Sequence, residues 1–273
     1  MKTKQVIAHI VQWLKDYSDR SGTQGFVIGV SGGIDSAVTS TLCALTGKKL
    51  LVLEMPIYQA ASQVNRAQEH IAWLRSNHAE VKEEHVELTG TFDSFIAAVQ
   101  AVEGGEIQKL SLANTRARLR MTTLYYFAGL HHLLVAGTGN KVEDFGIGFF
   151  TKYGDGGVDL SPIADLKKTE VYEIAKELGI AGSILKAAPT DGLFGDDRTD
   201  EDQIGASYPE LEWAMDFIEQ WRTEKGEWKM ESIKDLPLNE REKRILEIYS
   251  KRNRANRHKM EAIPVCVIPE ELK

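Results

Sequence analysis

Phe26-Val27-Ile28-Gly29-Val30-Ser31-Gly32-Gly33-Ile34-Asp35-Ser36 sets a short apolar run directly against a glycine pair, a carboxylate and two serines. Short apolar runs bounded by glycine read as buried parallel strands. The residues that follow predict a helix over 36–47, so the glycine pair sits in a strand-to-helix loop. Gly32 and Gly33 let the backbone approach an anion and take positive φ. The unpaired N–H groups at the helix start point at that anion, and the helix dipole assists them. Ser31 and Ser36 add hydroxyl donors. Asp35 would repel a phosphate unless a cation lay between them, so a carboxylate here implies Mg2+. An isolated Ser-Gly-Gly reads most simply as a glycine turn with a serine cap. The full Gly29–Ser36 string between a strand and a helix is far more specific.

Outward from this loop, strands alternate with helices. Apolar runs predict strands at 26–30, 50–56, 81–88 and 133–136. Helical spacing predicts helices at 3–19, 62–76, 93–102, 113–130, 166–178, 210–225 and 239–253. That alternation means an α/β fold, a doubly wound parallel sheet flanked by helices and Rossmann-like in outline. No repeat or low-complexity tract divides the 273 residues, which read as a single domain. The segment Asp191-Gly192-Leu193-Phe194-Gly195-Asp196-Asp197-Arg198 and on to Gln203 reads either as a solvated acidic loop or as a lid over a site.

Composition narrows the function classes. The 33 basic and 40 acidic residues give a formal charge of −7, a poor match to a nucleic-acid backbone. Cys43 and Cys266 form no CxxC, so no zinc or iron–sulfur pattern is available. Val6, Ile7, Ile10, Val11 and Leu14 follow helical spacing rather than a signal peptide's unbroken apolar run. No apolar stretch approaches the roughly 20 residues of a membrane span. A cytoplasmic protein without a membrane or nucleic-acid partner is expected. Neither GxxxxGK[ST] nor a strand-borne GxGxxG occurs, which removes support for kinase-like transfer and simple dinucleotide redox chemistry.

The SGGxDS string resembles the pyrophosphatase-loop (PP-loop) family of ATP-using enzymes. These cleave ATP between its α and β phosphates and activate an acyl group as an adenylate. A second string, Phe149-Phe150-Thr151-Lys152-Tyr153-Gly154-Asp155-Gly156-Gly157-Val158-Asp159, resembles the FFTKYGDGGxD segment of NAD synthetases within that family. Asn114-Thr115-Arg116-Ala117-Arg118-Leu119-Arg120-Met121 is similar to their NxxARxRM helix, and Gly137-Thr138 followed by Glu143 to their GTxxxxE. The likeness runs from about Val27 to Lys259. It is looser over 191–206 and beyond Lys259, and the interval from Glu143 to Lys152 is one residue longer than the commonest family spacing.

The resemblance implies that Gly29, Val30, Ser31, Gly32, Gly33, Ile34, Asp35 and Ser36 hold the ATP phosphates. Thr138, Lys168 and Thr190 would also contact ATP, and Asp35 and Glu143 would bind Mg2+. Arg118, Lys152, Asp159, His258 and Lys259 would contact deamido-NAD. Lys152, Lys168 and Asp159 are the candidate catalytic groups. The substrates would be ATP, deamido-NAD and ammonia, since the length leaves no room for a glutamine-hydrolysing domain, and the family implies a homodimer. From the residues alone, Arg116 and Arg120 share a helix face as an i, i+4 pair while Arg118 points elsewhere. Arginine's fork suits paired phosphates. A lone lysine, glutamate or histidine at these positions would ordinarily be a surface residue, and His258 also reads as a charged helix end beside Arg257 and Lys259. Other readings are a tRNA-modifying PP-loop enzyme, which the charge and the two isolated cysteines oppose, and a non-catalytic nucleotide-binding regulator.

Overall fold

The computed structural model describes residues 1–99, 104–190 and 199–273. Its centre is a four-stranded parallel sheet of β1 (Gly25–Gly29), β2 (Lys49–Glu54), β3 (Val81–His85) and β4 (Leu134–Val135), in the order β3-β2-β1-β4. The register pairs Val27 with Leu51 on one side of β1 and with Val135 on the other. A further parallel bridge joins Ala136 to Leu160. The described helices are α1 (Thr3–Arg20), α2 (Ile34–Leu45), α3 (Ala61–Asn77), α4 (Thr89–Val99), α5 (Gly105–His131), α6 (Lys168–Glu177), α7 (Gly182–Leu185), α8 (Asp200–Ile204), α9 (Tyr208–Lys225) and α10 (Glu240–Met260).

Strand residues alternate between two cores, as the two-residue pleat requires. Phe26, Ile28, Leu50 and Val52 pack with Leu14 of α1, Val38 and Leu42 of α2, Ile71 of α3 and Ile174 of α6. Val27, Leu51, Leu53 and Val135 face the other way, against Phe92 of α4 and Ala128 of α5. Both sheet faces are therefore covered, the usual condition of a parallel sheet. A third core is built from Leu211 and Met215 of α9, Leu246 and Tyr249 of α10, and Val142 and Ile147.

Several boundaries differ from the expectations, each for a local reason. Helix α2 begins at Ile34 because Gly33, in extended conformation, takes the N-cap position and Asp35 enters the first turn. Helix α5 starts eight residues earlier than expected. Its first turns carry the exposed Ile107 and Leu110, so the one-faced burial that spacing arguments look for is missing there. Helix α10 extends through the basic run to Met260 for the same reason. The expected helix at 93–102 is α4, from Thr89 to Val99; residues 100–103 lie outside the described residues. Most of the acidic segment, 191–198, is likewise outside them.

The least expected element is a π-helix over Val142–Ile147. A π-turn holds one residue more than an α-turn between hydrogen-bonded partners. Such a turn is one way for a chain to carry an added residue between Glu143 and Lys152. The element ends at Gly148 with φ 61°, and a Cβ there would lie 2.4 Å from Cβ of Asn256 on α10.

Against α2 lies a buried pair, His70 Nε2 at 2.9 Å from Ser40 Oγ, with Ser40 also donating to the Ser36 carbonyl at 2.7 Å. Burial pulls the His70 imidazole down from 6.5 to about 4. Between these values the unfolded chain binds a proton that the folded chain does not. Stability is thus complete above pH 6.5 and falls as the pH drops toward 4, by about 3 kcal/mol at most for this one group. Urea denaturation at pH 7 and pH 5 is expected to show a larger loss for the wild type than for His70→Gln. Equal losses would remove His70 from the acid response.

Candidate functional site

The site lies at the carboxyl ends of β1 and β4, where the strand order reverses, which is the usual place for a ligand crevice in an open parallel sheet. One cleft is lined by the loop from Gly29 to Ser36, by Met55 and Pro56 after β2, by Gly137 and Thr138 after β4, and by Gly154, Gly157 and Val158. Glu143, Lys168 and Thr190 line it as well. The loop is closed on itself by its serines: Ser36 Oγ donates to the Gly33 carbonyl at 3.0 Å, and the Ser31 and Gly33 N–H groups donate to Ser36 Oγ and Ser31 Oγ. Gly32 has φ 79° and presses on α3, so that a Cβ would lie 2.4 Å from the Gln63 carbonyl oxygen. Only glycine suits both constraints. The first N–H groups of α2 are left without intrahelical acceptors and face the cleft.

Lys168, the first residue of α6, crosses to the loop. Its Nζ lies 2.5 Å from Asp35 Oδ2 and 2.9 Å from Glu143 Oε1, and its side chain is 3% exposed. Burial alone would lower the ammonium's pKa, but the two carboxylates and their hydrogen bonds outweigh it and raise it above the ordinary lysine range. Burial pushes the Asp35 carboxyl up, and Lys168 pulls against that. Asn140, fully buried, donates to Asp35 Oδ1 at 3.2 Å, while its own Oδ1 accepts the N–H groups of Val142 and Glu143. It thereby caps the π-helix and fixes Asp35 together. The Tyr208 hydroxyl reaches Glu143 Oε1 at 2.5 Å and Asp200 Oδ2 at 2.9 Å, and Lys168 Nζ sits 4.7 Å above its ring. Burial, then Glu143 and Asp200, raise the Tyr208 phenol far above its ordinary value, so it remains a donor. Asp144, beside Glu143 on the cleft wall, is raised to about 8 by burial and by the neighbouring carboxylates.

A second group gathers between α5, the 149–159 segment and the end of α10. Arg118 Nε and Nη2 both donate to the Lys152 carbonyl at 3.3 Å. Lys152 Nζ donates to the His258 carbonyl at 2.7 Å, and Lys259 Nζ to the Phe150 carbonyl at 2.6 Å. Arg118, Lys152, His258 and Lys259 are therefore neighbours, beyond the residues that line the cleft itself. Asp159 stands apart from them. Its Oδ2 accepts the Val135 N–H at 2.8 Å and its Oδ1 the Tyr125 hydroxyl at 3.1 Å, which ties β4 to α5. Arg116 and Arg120 share the face that their spacing predicts. Arg120 donates to the Met55 carbonyl and to Gln59, and Arg116 stacks 4.8 Å from the Phe92 ring.

Asn140, Tyr208 and Arg66 are absent from the sequence reading. Asn140 carried a usable signal, an asparagine directly before a helical run. Tyr208 and Arg66 carried none, because each joins the site only through tertiary contact.

Lys168→Met keeps the side chain's length and removes its charge, leaving Asp35 and Glu143 buried and uncompensated. We expect the unliganded variant to lose about 3–5 kcal/mol in urea denaturation, the scale for breaking one partner of a buried ion pair. A loss under about 1 kcal/mol would mean that water already screens the pair.

Comparison with known proteins accords with this geometry. The NAD synthase family profile matches residues 6–262. The NH(3)-dependent NAD(+) synthetase of Archaeoglobus fulgidus is 35% identical over 100% of both chains. That of Carboxydothermus hydrogenoformans is 41% identical over 74% of this chain and 81% of its own. Among solved structures, NMN synthetase from Francisella tularensis superposes with a TM-score of 0.81 at 30% identity over 99% of both chains. NH3-dependent NAD synthetase from Campylobacter jejuni gives 0.74 at 25% identity over 98% of this chain and 100% of its own. With the profile spanning nearly the whole chain and these relatives matched over most of their own lengths, the chain belongs to the NAD synthase family.

Proposed function

We propose that the cleft carries out ATP-dependent amidation of deamido-NAD by ammonia, giving NAD, AMP and pyrophosphate. The observation that carries this reading is the Lys168 ammonium clasped by Asp35 and Glu143 beside the glycine loop, in one cleft with the Gly154–Val158 segment. ATP would lie with its phosphates on Gly29–Ser36 and against Thr138, Lys168 and Thr190. Deamido-NAD would lie against Arg118, Lys152, Asp159, His258 and Lys259. In the first step the nicotinate carboxylate attacks the α-phosphate, the bond to the β-phosphate breaks, and pyrophosphate leaves. Lys168 and the loop N–H groups stabilise charge on the departing oxygens. In the second step ammonia attacks the acyl carbon and AMP leaves. Water competes for that carbon, so the walls of the cleft must exclude it.

Asp35 and Glu143 fit a role as Mg2+ ligands. Two oxygen donors converge on one cationic position, and among the described residues no group of three or more ligating side chains forms a metal cage. Phosphates and water would complete the shell, as Mg2+ prefers. The ion would supply neutralisation of the phosphate oxygens. Asp159 is our candidate for receiving ammonium, since each carboxylate oxygen keeps a lone pair beyond its present bond. A homodimer is supported by the apolar residues that α5 leaves exposed, Ile107, Leu110, Tyr126 and Leu130. No described helix is long and apolar enough to cross a membrane.

One observation favours a second reading of the acid. The NMN synthetase of Francisella superposes with a higher TM-score and a higher identity than the Campylobacter NAD synthetase. Nicotinate mononucleotide carries the same carboxylate and would undergo the same two steps.

Purified protein with Mg-ATP, ammonium and deamido-NAD is expected to release NAD, AMP and pyrophosphate in equal amounts. Nicotinate mononucleotide offered in parallel is expected to give the lower kcat/KM; the reverse order would transfer the assignment to the mononucleotide. Pyrophosphate without either amide would sink both. Asp159→Asn is expected to raise the ammonium KM. An unchanged ammonium dependence would leave Asp159 only its tie between β4 and α5.

A further inference from the structure

Six acidic side chains and three cationic ones line the cleft. A polyphosphate can settle there only if the cations answer it. Lys168 is already shared by Asp35 and Glu143. Arg120 commits two donors of its fork, Nε to the Met55 carbonyl and Nη2 to Gln59. The third is Arg66, half-buried on α3. Its Nε donates to the Gly32 carbonyl at 3.1 Å, which pins the guanidinium to the phosphate-binding loop itself. Its two Nη atoms make no hydrogen bond or ion pair among the described residues, and Arg66 lines the cleft.

This contact follows from the glycine. A Cβ on Gly32 would meet Cβ of Arg66 at 3.2 Å and the Ala67 nitrogen at 3.0 Å, so loop and helix touch backbone to backbone. That approach brings the root of a long cationic side chain beside the loop. On the amidation reading the acid substrate arrives past the Gly154–Val158 wall, so the α-phosphate faces that wall. Arg66 rises from a different wall, α3, and its fork can bond oxygens of two adjacent phosphates together.

We propose that Arg66 binds the β- and γ-phosphates of ATP and holds the pyrophosphate as it leaves. This rests on the amidation reading above and adds a residue to it. The Nε bond to Gly32 orients the guanidinium, and the free Nη donors make the contact.

The test compares Arg66→Ala, Arg66→Lys and Arg66→Gln with the wild type. The measurements are the KM for ATP, the inhibition constants of pyrophosphate and AMP, and the KM for the acid substrate. Arg66→Gln keeps a long polar side chain without the charge, so the test does not depend on the alanine variant folding. The Ala and Gln variants are expected to raise the ATP KM and the pyrophosphate inhibition constant together, by about tenfold or more, the scale of a lost charge-assisted hydrogen bond. AMP inhibition and the acid KM are expected to stay within about twofold, and Lys to recover part of the loss. ATP and pyrophosphate values within twofold of the wild type would overturn the proposal. So would an equal weakening of AMP and pyrophosphate, which would mean that Arg66 only props the loop. A wild type that forms no AMP or pyrophosphate would defeat the amidation reading instead. Calorimetric binding of pyrophosphate to the wild type and Arg66→Gln would then decide Arg66 separately, retained affinity counting against it.

Discussion

The rest of the site depends on one ammonium between two carboxylates. Lys168 brings the start of α6 to Asp35 on the first turn of α2 and to Glu143 on the π-helix. Through Glu143 and Tyr208 the same cluster reaches α9, and through Asp200 it reaches α8. Five helical elements from distant parts of the chain thus meet at one charge. Burying ions is costly, and apolar replacements of buried pairs are often as stable or more so. The cluster is therefore better explained by what it prepares than by what it stabilises. Without a ligand, two carboxylates must be held beside a loop built for anions. Lys168 supplies the charge that keeps them from repelling each other.

The π-helix gives that arrangement tolerance to chain length. One surplus residue between Glu143 and Lys152 would rotate a regular helix by about 100° and carry either Glu143 or the Phe149–Asp159 segment out of place. A wider turn can take up such a residue locally. Asn140 caps one end, and Gly148 lets the chain leave along α10 at the other. Val142 and Ile147 meanwhile pack into the core of α9 and α10. That third core is thus a brace for Glu143 as well as the support of the His258–Lys259 end.

How much of this was legible in the sequence follows from where each signal is stored. The β1–loop–α2 unit is local: apolar run, glycine pair and cap residues are contiguous, so strand, loop and anion site could be read together. The alternation of Phe26, Val27 and Ile28 between two cores follows from the pleat. The start of α5 and the end of α10 were hidden because their outer turns bury no stripe. The π-helix left no signal in the sequence, since nothing in Val142–Ile147 distinguishes a wider turn from an ordinary one. Tyr208 and Arg66 were not legible at all, since a tyrosine after a serine and an arginine in mid-helix look like any others until the fold sets them against Glu143 and Gly32.

The cations of the site are held in two opposite ways, and this bears on an acidic chain that must bind polyanions. Lys168 is neutralised by carboxylates. Arg66, Arg118, Lys152 and Lys259 instead donate to backbone carbonyls, of Gly32, Lys152, His258 and Phe150. A carbonyl orients a cation without cancelling its charge. Such a side chain is held in place yet keeps its full attraction for a phosphate, and exchanging a neutral acceptor for an anionic one is a gain. A carboxylate partner would have to be displaced first, at the expense of a buried ion pair. Positive potential is thus concentrated at a few anchored side chains while the surface as a whole stays negative. An acidic protein can in this way hold small phosphorylated ligands and still repel long nucleic-acid backbones.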